Sequence, residues 1–254
     1  MNPPPNTRPP LVYLPGLDGT GRLLHRQPAL HEQFAVHCVS YPQHTPNTYG
    51  GLAGLGIEVL ERTGPGVVLA ESFGGAVALT LALTRPELVH RLVLVNTFAY
   101  FPRRPLIHLI ASVGRWFPRK PSHPMTRGFR GWFFFSPEIP PAERTEWWDR
   151  TGDVPMSAYG DRLRLITALD LRSKLEAIRV PALVVTAPND RVVPPPAGRE
   201  LARLLPKARL LERSVGHAAM IHPGLDVARL LADPAHWPAR AEAIAAVADT
   251  SRSG

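Results

Sequence analysis

A single cysteine, Cys38, among 254 residues leaves no partner for an intrachain disulfide and rules out a Cys-rich zinc site. Lysine is scarce as well, with 3 residues against 26 arginines. No apolar run approaches the roughly 20 residues of a membrane-spanning helix, so no span is expected. The first ten residues, MNPPPNTRPP, hold five prolines and no apolar stretch. That argues against a secretory leader and for a cytoplasmic location. Hydrophobic residues at 44% and charged residues at 20% exclude a wholly disordered chain, a collagen and a coiled coil. The length suits one sizeable core.

What is present is organised. Short apolar runs at Leu11 to Leu14, Val36 to Ser40, Val67 to Ala70, Leu92 to Val95, Ala182 to Thr186 and Arg209 to Glu212 read as strands. Helical spacing covers 52–62, and a strongly apolar helix runs from Phe73 to Thr84, stopped by Arg85-Pro86. Strands that look apolar on both faces and alternate with helices predict an α/β fold with a mostly parallel sheet covered on both sides.

The stretch 98–175 breaks this rhythm. It is read as an inserted cap, with 1–97 and 176–254 forming the core. The insertion holds 13 of the 29 basic and 7 of the 21 acidic residues, so +6 of the net +8 lies there. It also holds 13 of the 19 aromatics, among them Trp116-Phe117, Phe129, Trp132, Phe133, Phe134, Phe135, Trp147 and Trp148. Two readings stay open for these rings: an apolar substrate pocket, or the cap's own core. Four consecutive aromatics at 132–135 cannot all face one side of a helix, so some face a pocket, a partner or the sheet domain. The arginines, densest at Arg103-Arg104 and Arg119-Lys120, read as a solvated face. Basic charge mixed with aromatics also keeps a remote nucleic-acid-binding alternative.

Chemistry concentrates at Val67-Val68-Leu69-Ala70-Glu71-Ser72-Phe73-Gly74-Gly75. A strand runs straight into a serine and then a helix, with small residues two before and two after Ser72. Such a sharp turn lifts the hydroxyl off the sheet edge and leaves the Phe73 N–H beside it. The plainer alternative is that Ser72 only caps the helix. Leu14-Pro15-Gly16-Leu17-Asp18-Gly19-Thr20-Gly21 follows the first strand. In an acyl-transfer site it supplies a second oxyanion donor, the Leu17 N–H, with Asp18 orienting the loop or touching substrate. A serine nucleophile needs a base and an orienting acid. His217 lies in a loop after the last strand; its rival, His222, precedes Pro223 and reads as a helix start. Asp190 sits just past a strand, with Asp170 as the fallback acid.

The chain order Ser72, Asp190, His217 and these loops resemble the α/β-hydrolase superfamily. The branch most similar is that of small serine carboxylesterases and lipase-like enzymes with a helical cap. The resemblance covers about 11–97 and 176–232. It implies hydrolysis of a small-molecule carboxylic ester through an acyl-enzyme, on small to medium apolar acyl or aromatic substrates. Metal and organic cofactor are not required, nor is nucleic acid a partner. Acyl transfer, thioester, lactone or C–C bond cleavage by the same triad remain alternatives. Ala70 stands where the family has glycine. Because only ten residues precede Leu11, the usual N-terminal hairpin is expected to be missing, leaving six strands. Monomer and dimer are both open.

Overall fold

Along each central strand, successive side chains enter different cores. Leu11, Tyr13, Val67, Leu69, Val93, Val95, Leu183 and Val185 pack on one side of the sheet. Val12, Leu14, Val68, Ala70, Leu92, Leu94, Ala182 and Val184 pack on the other. This two-residue alternation with both faces covered is why the strands read as unbroken apolar runs. The computed structural model describes residues 8–102, 105 and 124–237. Trp116, Phe117, Arg103-Arg104 and Arg119-Lys120 lie outside them.

The strands are β1 (Pro10–Leu14), β2 (Ala35–Cys38), β3 (Gly66–Glu71), β4 (Val89–Val95), β5 (Ala182–Thr186) and β6 (Ala208–Glu212). They form one six-stranded sheet in the order β2-β1-β3-β4-β5-β6, with every pairing parallel. The helices are α1 (Ala29–Gln33), α2 (Tyr49–Thr63), α3 (Phe73–Thr84), α4 (Pro124–Phe134), α5 (Pro141–Thr151), α6 (Met156–Ala168), α7 (Pro195–Leu204) and α8 (Val227–Ala232). Helices α2, α3 and α7 cover one face, and α1 and α8 the other. The chain leaves β1 in one direction to β2 and returns to β3 on β1's far side. Ligands of such sheets bind at that reversal, beyond the carboxyl ends of the strands.

Helices α4 to α6 form a cap inserted between β4 and β5. Its ends are pinned together: Tyr100 and Asp170 form an antiparallel bridge, and Leu171 N–H donates to Ala99 O at 3.0 Å. Phe135, Ile139, Trp147 and Trp148 of the cap share a buried cluster with Leu23, Ala218 and Ile221 of the core. Among the described residues, no helix is long and apolar enough to cross a membrane.

Two expectations change. Strand β6 is not apolar on both faces: it is an edge strand, and Leu210 is 42% exposed. No helix starts at His222-Pro223 either. The Asp226 carboxylate accepts from Arg229 N–H at 3.0 Å and sets the start of α8 at Val227.

The crossing of α3 over β1 is close. A Cβ on Gly74 would lie 2.3 Å from Leu14 O and 2.4 Å from Pro15 O, both backbone atoms. Gly74→Ala therefore forces the helix off the sheet. It should cost about 3 kcal/mol in urea-unfolding free energy. A loss below about 1 kcal/mol would show that the helix can shift freely there.

Candidate active site

Strand β3 is buried along its whole length and ends at Glu71. The next residue, Ser72, takes φ 50° and ψ −123°. This is left-handed backbone that non-glycine residues rarely adopt, and it marks a functional constraint. The Ser72 side chain makes no capping hydrogen bond to α3, although it occupies the capping position. Its backbone is fixed on both sides: Ser72 N–H donates to Val95 O at 2.9 Å, and Thr97 Oγ1 donates to Ser72 O at 2.5 Å.

The loop after β1 lies against this turn. A Cβ on Gly16 would meet Ser72 Cβ and Asp18 Oδ1, each at 3.6 Å. Gly19 N–H donates to Gly16 O at 3.1 Å and closes the turn that carries Leu17. The buried Asp18 carboxylate accepts from Thr20 N–H at 2.8 Å and Thr20 Oγ1 at 2.6 Å. These two bonds tie the carboxylate into the loop.

Asp190 and His217 meet. Their Nδ1–Oδ2 distance is 2.8 Å, and both residues are buried. The other carboxylate oxygen, Oδ1, accepts from Val192 N–H at 2.7 Å and Val193 N–H at 3.0 Å, which fixes the acid loop. Burial works against a charged His217, but the Asp190 carboxylate and its hydrogen bond outweigh it and hold the imidazole pKa above its usual value. The rivals are engaged elsewhere. His222 Nδ1 accepts from Gly224 N–H at 2.9 Å. Asp170 pairs with Arg172 at 2.7 Å.

Asn96 was not singled out from sequence. It takes φ 47° at the end of β4. Its Oδ1 accepts from Ala187 N–H at 2.9 Å, and its Nδ2 donates to Gly216 O at 2.6 Å. One side chain thereby joins the acid loop to the histidine loop. Asn189 adds a second tie, accepting from Gly216 N–H at 3.0 Å. The available signal was an asparagine, which tolerates left-handed backbone, directly after an apolar strand.

Glu71 is buried beside the serine and accepts a hydrogen bond from Tyr13 Oη. Burial pushes its pKa from the ordinary 4.5 up to about 7; the Tyr13 bond opposes this, while the Asp18 charge adds to it. Between those values the unfolded chain ionises while the folded chain keeps the proton. Stability therefore falls as pH rises from about 4.5 to about 7 and stays low above. Glu71→Gln keeps the acceptor and removes the charge. It should raise unfolding stability by a few kcal/mol, on the order of 2 to 3, at pH 8 and leave it unchanged at pH 4. Equal effects at both pH values would contradict a buried ionisation.

The cap aromatics diverge as their spacing requires. Trp132 is 57% exposed, with the Arg191 guanidinium 4.3 Å above its ring. Phe133 packs edge-on to Trp132 at 4.9 Å. Phe134 lies 5.7 Å from the His217 ring and 5.4 Å from Trp147. Phe135 packs edge-on to Trp147 and Trp148 at 5.4 and 5.8 Å, and the two indoles meet at 4.8 Å. Phe134 alone of the four reaches the histidine's ring among these contacts. A cavity of about 20 Å³ lies between Phe133 to Pro137, Asn189, Arg191 and Gly216. A groove of about 740 Å³ runs outside Gly131, Phe135 and Trp148.

Among the described residues, one group offers the ligand types for a metal ion: His25, Glu143 and Glu146, whose candidate atoms lie within 4.8 Å of one another. It joins core to cap rather than the Ser72 loops. Two arginines already accompany its carboxylates, Arg26 at 3.4 Å from Glu143 and Arg150 at 2.5 Å from Glu146.

A model of the alpha/beta hydrolase family matches residues 11–230, and the chain belongs to that family. Two curated relatives and one solved structure illustrate the likeness. Phytyl ester synthase 1, chloroplastic, of Arabidopsis thaliana is 34% identical over 42% of this chain, but the match spans only 16% of that protein. A pimeloyl-[acyl-carrier protein] methyl ester esterase of Nitrosomonas europaea is 28% identical over 76% of this chain and 82% of its own length. The crystal structure of the enol-lactonase from Burkholderia xenovorans LB400 superposes with a TM-score of 0.75 at 23% identity, covering 86% of this chain and 88% of that one.

Proposed function

We propose that the protein is a serine hydrolase of carboxylic esters that works through an acyl-enzyme. The observation that carries this reading is Ser72, held at φ 50° between a buried strand and α3, at the same sheet edge as an Asp190–His217 pair with a 2.8 Å hydrogen bond. With Nδ1 of His217 bound to Asp190, Nε2 is the nitrogen left to take the Ser72 proton as Oγ attacks the ester carbonyl. Asp190 orients the ring and offsets its charge. The N–H groups of Leu17 and Phe73 receive the oxyanion, each worth about 3 kcal/mol of barrier. The alcohol leaves with the proton from His217, and water then releases the acid.

Phe134, its ring 5.7 Å from that of His217, favours apolar acyl or aromatic groups. A p-nitrophenyl ester series of rising chain length tests both points, with a fluorophosphonate adduct mapped by mass spectrometry. Turnover that improves with acyl length and an adduct on Ser72 support the reading; an adduct elsewhere overturns it. Acyl transfer is the second reading, favoured by the likeness to a phytyl ester synthase. Product analysis with a competing alcohol separates the two outcomes.

A further inference from the structure

Arg162 is counted by sequence among the solvated cap arginines, yet in the structure it is 0% exposed. It projects from α6 of the cap into the core. Its Nη1 donates to Leu17 O at 2.7 Å and Asp18 O at 2.9 Å. Nε donates to Asn47 Oδ1 at 3.0 Å, and Nη2 donates to Pro42 O at 3.0 Å and Gln43 Oε1 at 3.2 Å. All of these acceptors are neutral oxygens. Burying a guanidinium this way costs solvation free energy that a surface arginine would keep. Desolvation accordingly lowers its pKa, with the Asp18 charge opposing. A conventional ion pair does not explain the placement. The loop it grips does.

The grip can be followed peptide by peptide. Arg162 holds the 17–18 and 18–19 carbonyls. The 18–19 unit carries Gly19 N–H, which donates to Gly16 O at 3.1 Å. That carbonyl belongs to the 16–17 peptide, and its opposite edge is the Leu17 N–H, because the peptide is planar and trans. Orientation thus passes from the guanidinium to the proposed oxyanion donor through two rigid planes. Gly19 makes the approach possible: it sits at φ 65°, and a Cβ there would lie 2.7 Å from the guanidinium carbon.

We infer that Arg162 is a positioning residue for the oxyanion loop, so that the cap sets the geometry of a donor carried by the core. The inference rests on the ester-hydrolase reading above. It predicts a transition-state effect rather than a loss of substrate affinity.

The test uses the full chain, p-nitrophenyl butyrate and an alkyl trifluoromethyl ketone, whose serine adduct places an oxyanion in the hole. Arg162→Met should lower kcat about 100-fold, the size expected for losing one such donor, with KM within about threefold. Ketone affinity should fall about as far as kcat/KM, and the midpoint of the pH–rate limb set by His217 should stay in place. Arg162→Lys, which can still reach the loop carbonyls but not all the other acceptors, should recover about tenfold of the loss. A folded Arg162→Met protein within threefold of wild-type kcat overturns the inference. So does a variant in which KM and the pH midpoint change together with a loss of near-ultraviolet circular dichroism, since that marks a structural role. If Arg162→Met does not fold, Asn47→Ala decides. It removes the Nε acceptor without touching the loop; a fivefold fall in kcat at constant KM supports the inference, and unchanged kcat overturns it. A wild-type protein with no Ser72-dependent turnover refutes the hydrolase reading itself, a result distinct from all of these.

Discussion

Ser72→Ala should lower ester kcat by about 10⁶-fold while leaving the fold intact. The size follows from the proposed chemistry. Without Oγ there is no acyl-enzyme, and His217 can only assist a direct attack by water. The oxyanion donors and substrate binding remain, so a residual rate of about 10³-fold or more over solution is expected. Stability should change little. Alanine has the same left-handed strain at φ 50° as serine, and the side chain makes no capping bond that could be lost. The variant should also fail to acquire the fluorophosphonate mass that labels the wild-type protein. A decrease of less than tenfold would end the nucleophile assignment.

Asp190→Asn should have the second largest effect, about 10⁴-fold in kcat near neutral pH. Asparagine fits the same space, and its oxygen can still accept from Val192 and Val193. Its amide, however, is a donor towards His217 Nδ1. The ring then turns to the tautomer that carries hydrogen on Nε2, which cannot take the serine proton. The charge change moves the pH limb as well. In the wild-type protein Asp190 holds the His217 pKa above 6.5, so kcat/KM rises with pH through that raised value. The same pairing contributes stability below about 6.5 and loses it as pH rises past the folded pKa. In Asp190→Asn both transitions should move to lower pH. Rate profiles from pH 5 to 9 measure the first and denaturant midpoints the second. A limb that stays in place would mean that another acid serves the histidine.

The α/β sheet was legible because the central strands bury both faces and so spell themselves as apolar runs. Strand β6 was misread because its leucines look like a core strand, while its place at the sheet edge is a tertiary fact. The start of α8 was misplaced because Pro223 is a common first helical residue, and the competing Asp226 cap won. At the site, Ser72, Asp190 and His217 each follow a strand, which is a local signature. Asn96 also follows a strand directly, but nothing local in the sequence tells its role. Its bonds close loops 91 and 120 residues long, and only the folded sheet brings those partners together. Arg162 was hidden by composition: one arginine among many in a basic insertion looks solvated until its environment is known.

The reach of Arg162 also orders events in time. Its hydrogen bond to Leu17 spans 145 residues. At ordinary synthesis rates the loop after β1 is synthesised roughly 7 to 30 s before its anchor. During that interval β1, β3 and the elbow can assemble while the 16–19 turn lacks the guanidinium contact. Until α6 docks, a nascent chain has the serine but lacks the cap's hold on the proposed Leu17 donor. The proposed acid and base, Asp190 and His217, are synthesised later still, so the oxyanion loop can be set before they arrive, and translation pauses within 98–175 would lengthen the period in which it is not.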